Sequence, residues 1–277
     1  MGKAADWVFS KRFRRGGFGW RASRLTSERI AEALAEIHAV ARHAPVHAAD
    51  GAVRFLVQLS PALEQVDSSS GALGSATRAA VDALVPVIAQ APANEAMRKK
   101  WLEQLFEAIQ NDDPPYLELL DERWGDVCST PEVASRWADR LMDFVRHVHA
   151  DRRSGKFAFT RAESACYSAL FAAGRHDELI ALIDSDPRPM WHDLLWVGRC
   201  KVARGEIDEA IELMAKAVNP WTPMAGLARF AEGVLLQAGR RVEAYEKYAL
   251  AANRATTYLA TYRLVSKKYP RLMRTGC

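Results

Sequence analysis

Three segments of the chain align on a glycine: GRHDELIALID from Gly174, GEIDEAIELMAKAV from Gly205 and GRRVEAYEKYALAAN from Gly239. The glycines lie 31 and 34 residues apart. Self-similarity at such a period is the signature of stacked helix pairs, in which no single pair can bury its own apolar face. The glycine is read as ending one helix, because only glycine adopts a left-handed cap at little cost. Five and twelve residues further on, the second segment has Ala210 and Ala217 and the third has Ala244 and Ala251; the first has Leu179 and Asp186. Residues seven apart share a helix face, so small side chains there are expected to let a neighbouring helix approach.

The rest of the chain carries the same helical period and no alternating β-branched runs. A helix is expected after Thr26-Ser27-Glu28, with Ile30, Leu34, Ile37 and Ala41 on one face. Asp50 is read as opening a shorter stretch that Pro61 interrupts or ends, and Pro86 as a kink. Asn94 and Thr130-Pro131 are N-caps, and Thr160-x-x-Glu163 reads as a capping box. Val133, Trp137, Leu141, Phe144, Val145 and Val148 mark the cleanest apolar face. The expectation is an all-α protein of about a dozen helices with no sheet. It divides into a basic aromatic arm at 1–25, a helical region at 26–150 and repeats at 156–277 that end in a basic helix. Linkers are expected at 67–75 and near Asp151–Gly155.

With GEIDEAIELMAKAV at 205–218, Val197-Gly198 seven residues before Gly205, and Pro187 and Pro220 near the repeat ends, the segment 160–254 resembles the tetratricopeptide-repeat family. The segments 248–270 and 123–141 also resemble an uncharacterised group of bacterial helical-repeat proteins, a likeness that brings no activity. The resemblance implies a right-handed α-solenoid and a non-enzymatic scaffold presenting a concave groove to a protein or peptide. Trp191, Lys201, Arg204 and Arg229 are the expected groove residues.

Charge qualifies that reading. The net +4 conceals unlike parts. Residues 1–29 hold eight Lys and Arg against two acids, residues 240–277 nine against two, and the middle is acidic. In the arm, Lys11, Arg12, Arg14 and Arg15 alternate with Phe9, Phe13, Phe18 and Trp20. With Lys267, Lys268 and Arg271 at the other end, this suits nucleic acid, an acidic protein or an acidic membrane surface. The plain alternative is an arm whose aromatics dock onto its own first helices.

Other chemistry is thin. His38, His43 and His47 lack a completing ligand and are split by Pro45, and His147 and His149 point apart on a helix, so no metal or cofactor is expected. No phosphate loop and no nucleophile setting occurs, so no catalytic residue is assigned. The acidic run of Asp112, Asp113, Asp121, Glu122 and Asp126 leaves open an enzyme or toxin-neutralising factor. Trp101, Trp137 and Trp196 are expected in the core, and Trp191 and Trp221 at the mouths of helix pairs. Cys128, Cys166, Cys200 and Cys277 are read as reduced thiols in a cytoplasmic protein without a transmembrane segment.

Overall fold

The computed structural model describes residues 7–219, 222, 224–270 and 272. Pro220, Trp221, Arg271 and Cys277 lie outside them. All regular structure among the described residues is helical, in fifteen helices. They divide into two units, 1–175 and 176–277.

The first unit holds α1 (Val8–Arg12), α2 (Ser23–Ala41), α3 (Pro45–Leu63), α4 (Ala72–Gln90), α5 (Glu95–Gln110), α6 (Glu118–Glu122), α7 (Trp124–Cys128), α8 (Pro131–Arg153) and α9 (Ala162–Ala172). Each packs against near neighbours in the chain: α2, α3 and α4 on one another, α5 on α3, and α9 on α6, α7 and α8. The core is aromatic as well as aliphatic: Trp124 and Trp137 meet edge to face at 4.9 Å, with Phe106 beside both. Helix α4 is long and apolar enough to cross a membrane by length and composition alone, with mean hydropathy 1.3. Its Leu73, Val81, Leu84, Val85 and Ile88 are buried, on a helix that packs against α2 and α3.

Both N-caps at Asn94 and Thr130 form, accepting from the Met97 and Val133 amides at 2.9 and 3.3 Å. Elsewhere the expectations change. Helix α2 starts at Ser23, before Thr26, whose hydroxyl donates back to the Ala22 carbonyl at 2.8 Å instead of capping. Helix α3 begins at Pro45, where a missing amide costs least, and runs on through Pro61, which lies in its last turn. Of residues 67–75, 67–71 form the turn into α4, entered through left-handed Gly71, and 72–75 are already its first turn. Helix α8 continues to Arg153, and its Phe144, assigned to the apolar face, is 65% exposed. The units divide after Arg175, so α9, expected among the repeats, belongs to the first unit.

The second unit holds α10 (His176–Asp184), α11 (Trp191–Ala203), α12 (Ile207–Lys216), α13 (Met224–Gln237), α14 (Arg241–Ala252) and α15 (Tyr258–Lys268). Each helix packs on the next. Gly174, Gly205 and Gly239 all have positive φ, at 72°, 82° and 75°. After each, the next amide reaches back five residues to a carbonyl: Arg175 to Leu170, Glu206 to Lys201 and Arg240 to Leu235, at 3.0, 3.0 and 2.8 Å. The repeat is thus three copies of one helix-ending motif. The alanine expectation holds at the first offset, where Leu179, Ala210 and Ala244 are buried. It fails at the second, where Ala217 is half-buried and Ala251 exposed. Seven residues fall short of two helical turns by about 20°, so the second alanine drifts off the contact face. The close approach lies instead at Gly198, where a Cβ would sit 2.9 Å from Phe230 and 3.2 Å from the Met214 sulfur.

A groove between helices five and eight

The basic arm is docked from residue 7 onward. Trp7 lies on Gly51 of α3, where a Cβ would stand 2.2 Å from its ring, and stacks on His47 at 4.8 Å. Phe9 and Phe13 meet Phe55 edge on at 5.3 and 4.9 Å, and Phe18 packs on Phe13. The Val8 and Phe9 amides donate to the Glu36 carboxylate at 2.8 and 3.3 Å. Arg12 pairs with Glu32, and Arg15 with Glu64 at 2.7 Å. Three of the four interleaved aromatics therefore serve the core. Lys11, Arg14 and Trp20 stay exposed.

At the other end, Lys268 turns inward. Its ammonium meets Glu232, a buried carboxylate of α13, at 2.5 Å. Tyr269 Oη and Asn253 Nδ2 also donate to Glu232, each at 2.7 Å. Burial, with Glu232 beside it, pushes the Tyr269 hydroxyl up from its ordinary value. Lys267 is exposed. The two basic termini thus contribute mixed sets, part intramolecular and part free.

The four expected groove residues in the second unit are also largely engaged. Lys201 is held by Glu206 and Glu209 at 2.9 and 2.8 Å, and Arg204 by Asp177 at 2.5 Å. Trp191 is half-buried against Gly226. Arg229 is exposed. The histidines expected to point apart do so: His149 is buried, and His147 is exposed beside Asp151. Cys128, Cys166 and Cys200 are buried free thiols, and burial pushes the first two up to about 12.

In the acidic run, Asp121 and Asp126 do not converge. Asp126 is exposed and bonds Arg123 at 2.5 Å, which also reaches Asp82 at 2.8 Å. Asp112 is buried and accepts from the Tyr116 and Leu117 amides at 3.1 and 2.6 Å. Asp121 Oδ1 is buried without a hydrogen-bond partner among the described residues. Burial, then the charges of Asp112, Glu118 and Glu122, push its carboxyl up to about 8. Glu163, expected in a capping box, instead accepts from His149 Nε2 at 2.8 Å, Arg152 Nη1 and Nη2 at 2.8 and 2.9 Å and Tyr167 Oη at 3.2 Å.

One groove was not legible in the sequence. A groove of about 790 Å³ runs between α5 and α8. Its floor includes Leu102, Val133 and buried Trp137. Two ion pairs reach across it from α8 to α5: Arg136 to Glu95 at 3.1 Å and Arg140 to Glu103 at 2.7 Å. The Arg140 guanidinium also lies 4.5 Å over the Trp137 ring and 5.6 Å from Phe106. Stacking fixes that guanidinium independently of its carboxylate partner. Arg98, at the groove's edge, is spent on the Ile88 and Ala91 carbonyls, while Lys99 is exposed. A period-based reading could have found α5 and α8 separately. Only tertiary packing sets them on either side of one opening.

Comparison of the chain with protein-family models, with curated proteins and with solved structures finds no match. The functional reading therefore rests on the residues themselves.

Proposed function

We propose that the protein is a non-enzymatic helical-repeat scaffold that binds an acidic peptide segment of a partner protein in the groove between α5 and α8. The observation that carries this reading is the pair of cross-groove salt bridges over buried Trp137. Both are solvent-exposed, and such pairs are worth about 0–1 kcal/mol, so an incoming carboxylate can replace Glu95 or Glu103 at little cost. The exchange favours an acidic ligand over a basic one. When Glu103 swings out, Arg140 stays stacked on Trp137 and ready to receive a carboxylate. Neighbour-on-neighbour packing and the glycine-ended helix pairs support placing the chain among α-solenoids, whose stacked pairs present such surfaces.

Panning a random peptide display library against the full chain tests the proposal. The expected result is enrichment of peptides bearing Asp or Glu beside an apolar residue, with affinity at least about tenfold weaker for Arg140→Ala, the loss of roughly one charge-assisted contact. Enrichment with no acidic preference, or unchanged binding to Arg140→Ala, would overturn it.

A further inference from the structure

A second opening lies where the docked arm meets α3 and α5. Asp50, Arg54 and Gln58 follow one another at four-residue steps along α3, and Lys100 and Gln104 do so on α5. Residues so spaced stand in line on a helix face. Together with Ser10 of α1 and Val57 they line a cleft of about 290 Å³. That is the low end of the size of small-molecule sites, roughly 300–1,000 Å³.

Its polar groups are unusual in being unused. Ser10 Oγ and Gln58 Oε1 are both buried without a hydrogen-bond partner among the described residues. A buried polar atom without a partner has lost its water without gaining a hydrogen bond, so two at one cleft ask for an occupant. Arg54 and Lys100, both exposed at the rim, make no ion pair among the described residues; Arg54 stands one turn from Asp50. Asp50 itself accepts from Trp101 Nε1 at 3.2 Å. The cleft thus offers two cations and one engaged carboxylate, and Gln58 Oε1 is an acceptor without a partner among the described residues that opens to it only when the rim side chains move. The ligand that satisfies them carries an anionic group for Arg54 and Lys100 and, next to it, an N–H or O–H for Gln58 Oε1.

We infer that this cleft binds a small carboxylic acid with an adjacent hydrogen-bond donor, of the α-hydroxy or α-amino acid class. Arg54 and Lys100 hold the carboxylate, Gln58 accepts from the donor, and Ser10, whose hydroxyl both donates and accepts, completes the contacts. Because both oxygens are screened from solvent, the long rim side chains swing aside on entry. Ser10 reaches the cleft only because Trp7, Phe9 and Phe13 dock the arm, so the arm acts as one wall of a site.

Isothermal titration of the full chain with L-lactate, L-serine, L-glutamate and acetate tests this, with circular dichroism confirming that each variant folds. Saturable binding of at least one of the first three is expected, with acetate, which lacks the donor, at least about tenfold weaker. Lys100→Ala, at an exposed position, should weaken binding by a similar factor. Gln58→Leu should erase the preference over acetate. Arg140→Ala, in the other groove, should leave all of this unchanged, so failure here is separable from failure of the peptide reading. No saturable binding of any of the four acids would mean that the cleft holds water only; that result, equal binding of acetate, or an unaffected Lys100→Ala would each overturn the inference.

Discussion

Glu163 and Asp121 sit on α9 and α6, two helices of the first unit that pack against each other, yet they ionise in opposite directions. Burial acts to raise both. At Glu163 the hydrogen bonds from His149 and Arg152 outweigh it and hold the carboxyl at about 2. At Asp121 only the charge of Arg161 acts against burial, and three neighbouring acids add to it, so the carboxyl rises to about 8. The difference teaches that depth alone does not decide the charge of a buried acid; the donors placed around it do. Glu163 acts as an ionic tie between α8 and α9. Asp121 acts as a neutral acid in a helix junction at low pH and as a liability at high pH.

The strongest way to break that contrast is Glu163→Ala. It leaves His149 and Arg152 without their shared carboxylate, and removing one member of a buried ionic cluster typically costs about 3–5 kcal/mol. Urea unfolding at pH 7 measures this, and a loss below about 1 kcal/mol would remove the tie. The sign with pH follows from the lowered value. Stability from Glu163 is fully present above its ordinary 4.5 and is lost as the pH falls toward about 2. In the alanine variant that acid-side loss should shrink.

Asp121→Asn comes next and runs the other way. A raised carboxyl binds its proton more tightly in the folded chain, so its contribution is complete below the ordinary 3.8 and declines as the pH rises through about 8. Asparagine removes the titration. Relative to the wild type, the variant should gain on the order of a few kcal/mol between pH 5 and pH 9. Parallel urea curves at those two pH values check it, and a gain that is the same at both would sink the assignment.

How far the sequence reveals these features follows the range of the interactions. The helix ends at Gly174, Gly205 and Gly239, and the caps at Asn94 and Thr130, are written in neighbouring residues and are legible. The all-helical class follows from period alone. Glu163 looks like a capping residue because Thr160 is three positions away, but its partners at 149 and 152 become visible only when α8 and α9 pack. The arm's aromatics fit nucleic acid as well as they fit Phe55 and Gly51, because sequence spacing cannot say that residues some forty positions apart form their socket. The α5–α8 groove is hidden for the same reason. Lys201 and Arg204, expected in a groove, pair with acids at 177, 206 and 209, and only the packed structure shows the pairing of Arg204 with residue 177.

The smallest effect separates a helix junction held by backbone shape from one held by charge. Gly205 has φ of 82°, and a Cβ added there meets nothing within 4 Å. Gly205→Ala therefore tests the left-handed cap alone, with no clash, and should cost about 1–2 kcal/mol at any pH. Gly198→Ala is the contrasting control, since its Cβ would press on Phe230 and Met214, two side chains that must shift. A Gly205→Ala loss that varied with pH as the Glu163→Ala loss does would mean that charge, rather than the cap, holds the α11–α12 turn. A flat loss would assign that turn to the glycine that first marked the repeat.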